Sequence, residues 1–217
     1  DSYTDTHRDV TCYAESTDGI HWTKPMLRLF EYEGSKENNI VWDGTGRHNF
    51  TPFRDGNPAA GAEARYKALG YGKEESGKGL FAFRSADGIH WTMMGNAPVI
   101  TKGACDSQNL AFWDSVRGEY REYHRDFIDK GRDIRTGTSK DFVNWSEPEF
   151  LRYAPARTSE LYTNQVIPYY RAPHLFLGFP TRYVDRGWTK SAEALPRPEY
   201  RRLRGSKSRR EGTAVTD

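Results

Sequence analysis

Ser16-Thr17-Asp18-Gly19-Ile20-His21-Trp22 returns as Ser85-Ala86-Asp87-Gly88-Ile89-His90-Trp91 and, more loosely, as Ser139-Lys140-Asp141-Phe142-Val143-Asn144-Trp145. A phrase repeated at intervals of tens of residues marks a structural unit used several times, and it outranks local propensity as evidence of fold. Each copy closes an apolar, strand-like run and opens a second short run, the placement of a tight turn between antiparallel strands. The residue types suit that place. Ser and Asp side chains bond nearby backbone amides, and Gly19 and Gly88 can take a positive φ without steric cost. Phe142 stands at the glycine position of the third copy, so that turn is expected to differ or to carry strain. The box aspartates therefore read as turn-formers rather than catalysts. Trp22, Trp91 and Trp145 read as rings that seal seams between neighbouring units.

Working outward, strand-like runs lead into each box: Thr11–Glu15 into the first, Tyr66–Tyr71 and Leu80–Arg84 into the second, and Leu110–Trp113, Glu119–Asp126 and Asp133–Thr138 into the third. Val166–Tyr170 and His174–Phe179 belong to a further unit without a box. Asp55-Gly56-Asn57-Pro58, Arg171-Ala172-Pro173 and the glycines between Gly72 and Gly79 supply turn chemistry between them. No segment shows a sustained helical period with caps. Four antiparallel strands in about 50 residues, each group stamped with a box at the same place, fit an all-β fold built of β-propeller blades. A β-sandwich would not put the box at a fixed position in every group. On this reading the chain is one propeller fragment of a longer protein. It holds the end of a blade at 1–25, blades at 45–95 and 104–150, and an incomplete blade at 158–217 with a basic loop at 196–210. That loop carries seven Arg and Lys residues with Tyr200 as its one aromatic, and reads as a solvated excursion between strands, not a nucleic-acid site.

Composition narrows the classes. The 217 residues are 36% hydrophobic, 29% charged and 14% aromatic, with a formal net charge of +2. That balance implies no strongly charged partner, and no apolar run reaches the length of a membrane span. Two cysteines as far apart as Cys12 and Cys105 give neither a metal cluster nor a disulfide framework. No cofactor is expected, although amides near a channel axis are compatible with a structural cation.

Candidate chemistry sits where first strands begin. His48-Asn49-Phe50-Thr51-Pro52-Phe53, Ser107-Gln108-Asn109-Leu110-Ala111-Phe112 and Asn164-Gln165-Val166-Ile167-Pro168-Tyr169 each start with amide or imidazole groups and then turn apolar. In a propeller these starts line the channel mouth, a layout for hydroxyl-rich ligands. Two acids stand just before them, Asp106 and Glu160, each 21 residues after a box serine. Cleaving a glycosidic bond needs a carboxyl that protonates the leaving oxygen and another that acts as base or nucleophile. Asp55, by contrast, aligns with Asp114 in the turn after the first strand and reads as structural, which leaves Asp43 and His48 as the better candidates of their blade.

The box Ser-x-Asp-Gly-x-x-Trp, with Thr23, Pro25, Ser146 and Pro148 after it, resembles the blade hairpins of five-bladed β-propeller glycosidases: glycoside hydrolase families 32, 43, 62 and 68 and the related family 130 phosphorylases. The resemblance implies three acids. Cys105-Asp106-Ser107-Gln108-Asn109 is similar to the strand of the pKa-tuning, hydroxyl-binding Asp, without its Arg and Pro. Ser159-Glu160-Leu161-Tyr162 is similar to the strand of the general-acid Glu. No stretch matches the motif of the third acid, an Asp base or nucleophile. The resemblance thus implies a glycoside hydrolase acting on a poly- or oligosaccharide, extracellular or periplasmic, with Glu160 and Asp106 catalytic. His48, Asn49, Gln108, Asn164, Gln165, Tyr162 and Arg182 would bind substrate. A non-catalytic carbohydrate-binding propeller and a protein-interaction propeller are the alternatives.

Overall fold

The computed structural model describes residues 8–129, 131–153, 160–185, 187–208 and 212–216. In chain order the strands are β1 (Thr11–Cys12), β2 (Ile40–Trp42), β3 (His48–Arg54), β4 (Tyr66–Glu74), β5 (Gly77–Ser85), β6 (Thr92–Met93), β7 (Leu110–Asp114), β8 (Glu119–Ile128), β9 (Gly131–Ser139), β10 (Glu149–Phe150), β11 (Glu160–Leu161), β12 (Val166–Pro168), β13 (Phe176–Gly178), β14 (Thr181–Asp185) and β15 (Gly212–Thr216). Two helices, α1 (Lys190–Glu193) and α2 (Pro198–Ser208), separate β14 from β15. β3–β6 and β7–β10 are four-stranded meanders, β14 lies between β11 and β15, and β1–β2 and β12–β13 are two-stranded. Every pairing is antiparallel. The protein is thus all-β in its sheets, and the described residues show no closed ring of them.

The two meanders share one register. Tyr66 faces the box serine Ser85 across β4–β5, and Tyr120 faces the box serine Ser139 across β8–β9. Phe53 pairs with Lys67 as Phe112 pairs with Arg121. These pairs make the two sheets superposable position by position. They also show why the sequences alternate as they do, since successive strand residues point to opposite faces.

All three boxes form the same turn. Asp18 Oδ1 accepts the amides of Ile20 and His21, both at 2.8 Å, and its Oδ2 meets His21 Nδ1 at 2.7 Å. Asp87 repeats each contact with Ile89 and His90, and Asp141 does so with Val143 and Asn144. The indole N–H of Trp22, Trp91 and Trp145 donates to the carbonyl three residues back. Phe142 keeps the glycine geometry, with φ at +70° beside +75° at Gly19 and +79° at Gly88. The strain expected there is therefore carried rather than avoided. Its ring accounts for that: it is fully buried and packs on Phe53 of the preceding sheet and on Tyr120 and Trp145 of its own.

Seams between successive sheets hold the core. Ala68, Phe81, Phe83 and Trp91 gather Tyr13, Val41 and Trp42 from the β1–β2 side. Leu69, Leu80 and Ala82 of the first meander meet Ala111, Tyr120 and Phe142 of the second. Tyr123 and Ile134 on the other face of the second meander meet Leu161, with Phe112 and Val166 beside them. Burial of each such side chain contributes about 1.5–3 kcal/mol. Trp91 and Trp145 take part in these seams as expected, whereas Trp22 is exposed.

One expectation is corrected. The basic segment read as a loop over 196–210 is helical from Pro198 to Ser208, and α1 precedes it, so helices do occur. Pro198 suits a first helical turn, where its missing N–H costs nothing. Tyr200 to Leu203 propagate well, and the Arg-rich sequence favours helix over strand. Thr189 caps α1 by accepting the Ala192 amide at 3.1 Å. The segment does lie between two paired strands, as an excursion would, and Arg202 is tied to Glu193 at 2.6 Å.

Candidate functional site

Glu160 opens β11 and Asp106 lies in the loop before β7. The structure brings both to one side of the β8–β9 hairpin. Arg125 and Arg132 stand there on the same face, because Arg125 pairs with Ile134 and Phe127 with Arg132 in the β8–β9 register. Glu160 Oε2 accepts the Arg132 Nη1–H at 2.7 Å and the Arg132 backbone N–H at 3.2 Å. Asp106 Oδ1 accepts from Arg125 Nη2. The ring of Tyr162 lies 4.8 Å from the Arg125 guanidinium carbon and 5.6 Å from that of Arg132. Tyr183 stacks 6.3 Å from Tyr162 and receives Arg132 at 4.1 Å. Two acids, two guanidiniums and two tyrosines thus form one layered cluster, with charge–π contacts adding to the ion pairs.

Its polarity has a direction. The side chains of Asp106 and Glu160 are 51% and 30% exposed, while those of Arg125 and Arg132 are 5% and 12% exposed. The guanidiniums lie beneath and the carboxylates face outward. A ligand arriving from solvent meets hydrogen-bond acceptors.

The amides expected at the strand starts knit the neighbouring backbone. Asn164 is buried and donates to the carbonyls of Gln108 and Tyr123, each at 3.2 Å. Gln108 Oε1 accepts the Gln165 amide at 3.1 Å, and Gln165 Oε1 accepts the Thr163 hydroxyl at 3.0 Å. Ser107 donates to the Tyr162 carbonyl at 3.2 Å. Arg182 sits opposite Leu161 on β14. Gln165 has φ +40° and Asn49, its counterpart in the repeat, φ +50°, so both strand starts use a left-handed residue that side chains other than glycine seldom adopt.

His48 and Asn49 have a different setting on β3. His48 Nδ1 meets Asp9 at 3.2 Å, and its ring lies 6.0 Å from Tyr71. Asp43 is bound by Arg8 at 2.5 Å. Asp55 is structural, as expected: buried, it accepts the Asn57 amide and the Tyr120 hydroxyl, at 2.9 and 2.7 Å, and pairs with buried Lys67. Asp114 repeats the pattern with the Val116 and Arg117 amides and with Arg121, the counterpart of Lys67.

Sequence reading missed Arg125, Arg132 and Tyr183. The available signal was a cation at alternate, otherwise apolar positions of a strand pair. It also missed Glu122 and His124, which are fully buried on the opposite face of β8, with Oε2 and Nδ1 at 2.7 Å. Burial pulls the His124 pKa down, yet the charge and hydrogen bond of Glu122 outweigh it and the imidazole is held above its ordinary value. Cys105 is buried nearby, its thiol pushed up to about 12 by burial and by Glu122, Asp126 and Asp106. A thiol so held is no nucleophile. Among the described residues no three His, Cys, Asp or Glu side chains converge as metal ligands. A cavity of about 230 Å³ is lined by Leu29, Phe30, Val41, Ile89, His90 and Trp91 and contains none of the candidate residues.

No family model and no curated protein matches the chain. Among solved structures it is similar to a glycosyl hydrolase from Bacteroides ovatus, at 11% identity and TM-score 0.43 over 67% of this chain and 46% of the other. It is also similar to a protein of Bacteroides ovatus ATCC 8483 provisionally assigned as a glycoside hydrolase, at 16% identity and TM-score 0.35 over 50% and 33%. The chain therefore spans a third to about half of the length of these two structures. At these scores the likenesses carry no argument of their own.

Proposed function

We propose that the protein is part of a five-bladed β-propeller and acts on glycosidic bonds of an oligo- or polysaccharide, with Glu160 as general acid and Asp106 as the carboxylate that orients the sugar. The blades would run over 45–95, 104–150 and 158–217, with the end of another at 1–25. The repeated box and the common register of the two meanders support this build. The observation that carries the function is that Asp106 and Glu160 are held by two arginines that share the Tyr162 ring, carboxylates outward. Sugar hydroxyls are donors that such acceptors hold, and Tyr162 offers a flat apolar face beside them.

In this mechanism Glu160 gives its proton to the departing glycosidic oxygen while water adds at the anomeric carbon and releases its proton to solvent; the general-acid role typically contributes 10²–10⁴-fold. Asp106 accepts from a sugar hydroxyl, while Arg125 and Arg132 fix both carboxyl groups. Gln108, Asn164 and Gln165 keep the two strand starts in register beneath the sugar. Glu160→Gln is expected to lower turnover of a cleaved glycan by about 10²-fold or more and to leave sugar binding measurable by calorimetry. Undiminished turnover overturns the assignment.

A second reading is sugar binding without cleavage. It is favoured by the fact that both acids already accept from a guanidinium, which suits them as fixed acceptors. It predicts that a panel of glycans binds without turnover and that Asp106→Asn weakens binding.

A further inference from the structure

Successive residues of β8 point to opposite faces, and the loop that carries Asp106 is tied to both. Arg125, on the site face, holds the Asp106 carboxylate through its guanidinium, and its backbone carbonyl accepts the amides of Ala104 and Cys105 at 3.1 and 3.3 Å. His124, on the opposite face, lies against Gly103. A Cβ at Gly103 would stand 2.3 Å from the imidazole Nε2 and 2.5 Å from Cδ2, and the φ of +123° there also calls for glycine. Cys105 is left-handed at φ +56°, and its carbonyl accepts the buried Asn109 amide at 3.0 Å. Backbone of this kind persists only where its surroundings hold it, and the imidazole is what this loop rests on.

The groups around the imidazole decide its charge. Burial works against the imidazolium, but Glu122 outweighs it, with Oε2 at 2.7 Å from Nδ1 and both side chains fully buried. The Lys102 backbone, acting as an acceptor, and Asp126 on the same face of β8 pull in the same direction as Glu122. Nε2 reaches no partner within full hydrogen-bond limits, so its approach to Lys102 is long or bent. Arg135 stands opposite His124 across β8–β9, but its guanidinium is taken by Asp126 at 2.6 Å and by the Pro148 carbonyl at 2.9 Å. Asp133 stands opposite Asp126. In the loop, the Cys105 thiol stays neutral, pushed up to about 12 by burial and the carboxylates of Glu122, Asp126 and Asp106, with Lys78 of β5 pulling the other way. An imidazole that loses its proton while Nδ1–H stays on Glu122 turns a lone pair, in place of a donor, toward the Lys102 backbone.

We propose that His124, held against Glu122, is a positioning residue: as the imidazolium it seats the loop from Lys102 to Asp106 and so sets where the Asp106 carboxylate stands, and on losing its proton to solvent it releases that loop. The consequence for a glycan rests on the proposed role of Asp106; the seat itself does not. Because the folded imidazole is held above its ordinary 6.5, the seat is complete below that pH and is lost as pH rises through the folded value.

Hydrogen–deuterium exchange of the full chain, from about pH 5 to about pH 9 and corrected for intrinsic rate, spans the imidazole's range. A peptide holding the Ala104 and Cys105 amides is expected to lose about tenfold in protection across it, the effect of one charge-assisted hydrogen bond. A peptide over the box at 85–91 is expected to show no such step. Glu122→Gln removes the charge that favours the imidazolium and should move the step to lower pH. His124→Gln should abolish it and leave the loop poorly protected throughout; Gly103→Ala, which crowds the ring from the loop side, should do the same and takes its place if a change in the buried pair unfolds the chain. Flat protection in the wild type, or a step that survives His124→Gln in a folded protein, overturns the proposal. Calorimetry with a glycan panel separates this from the role of Asp106. A loop that follows pH in a protein whose glycan binding ignores Asp106→Asn upholds the seat and removes Asp106 from the site. Binding that depends on Asp106 over a loop blind to pH keeps the site and removes the seat.

Discussion

The seam between the two meanders and the seam after the second one are built from the same repeat positions, yet they treat charge in opposite ways. In the first, Asp55 and Lys67 are buried among Tyr120 and Phe142, and the carboxylate also accepts the Tyr120 hydroxyl and the Asn57 amide. Every polar contact there faces inward and serves the fold. In the second, the guanidiniums of Arg125 and Arg132 are buried, but the acids they hold open outward. The first seam closes because Phe142 projects into it from a left-handed turn. Among the described residues the second has no such plug; Tyr162 and Tyr183 line it instead. Ion pairs at equivalent seams become structure or site according to what packs over them.

Lys67→Ala tests that contrast most severely. It strands a buried carboxylate and is expected to cost about 3–5 kcal/mol in urea unfolding. Arg132→Ala in the open seam is expected to cost about 1 kcal/mol. Equal losses would erase the distinction between a structural and an available pair.

Phe142 comes next. Truncation to Ala is expected to cost about 3 kcal/mol for the cavity it leaves. Phe142→Gly should be less damaging than Ala by about 1 kcal/mol, because glycine accepts φ +70° without the left-handed penalty. A Gly variant worse than Ala would mean that the turn carries no strain.

A smaller effect separates the third box from the seam it supports. Asp141→Ala removes side-chain bonds to the turn and is expected to cost about 1 kcal/mol. Partial burial would raise the Asp141 carboxyl, but the Asn144 and Val143 amides, the Asn144 side chain and Ser139 hold it down to about 2, from an ordinary 3.8. A carboxyl depressed in the folded state stabilises above its unfolded value and loses that contribution as pH falls through the folded one. The Asp141→Asn variant should therefore show a shallower stability loss between about pH 4 and 2.

The smallest expected signal comes from the Glu122–His124 pair on the closed side. Its imidazole is raised above 6.5, so its contribution is complete below that pH and is lost as pH rises through the folded value. His124→Gln should flatten the pH dependence of stability on the alkaline side of 6.5. An unchanged profile would show that the pair does not titrate with folding.

How much of this was legible in the sequence follows from the range of the interactions. The boxes were legible because their bonds run two or three residues along the chain, so Ser, Asp and Trp suffice to specify them. The structural role of Asp55 followed from its alignment with Asp114, since both serve a local turn. The two acids Asp106 and Glu160 were legible as candidates, but not their partners, because Arg125 and Arg132 reach them from strands tens of residues away. Helix α2 was missed because the Arg-rich stretch shows no apolar period, and its residues up to Leu203 face largely to solvent.

The turns, the strand pattern and the all-β class can be read along the chain, because each is written in contacts a few residues long. Packing between sheets, by contrast, sets which charges are consumed and which stay accessible. It also sets which apolar side chains are buried, because burial depends on the sheet that packs across a residue and not on the residue itself.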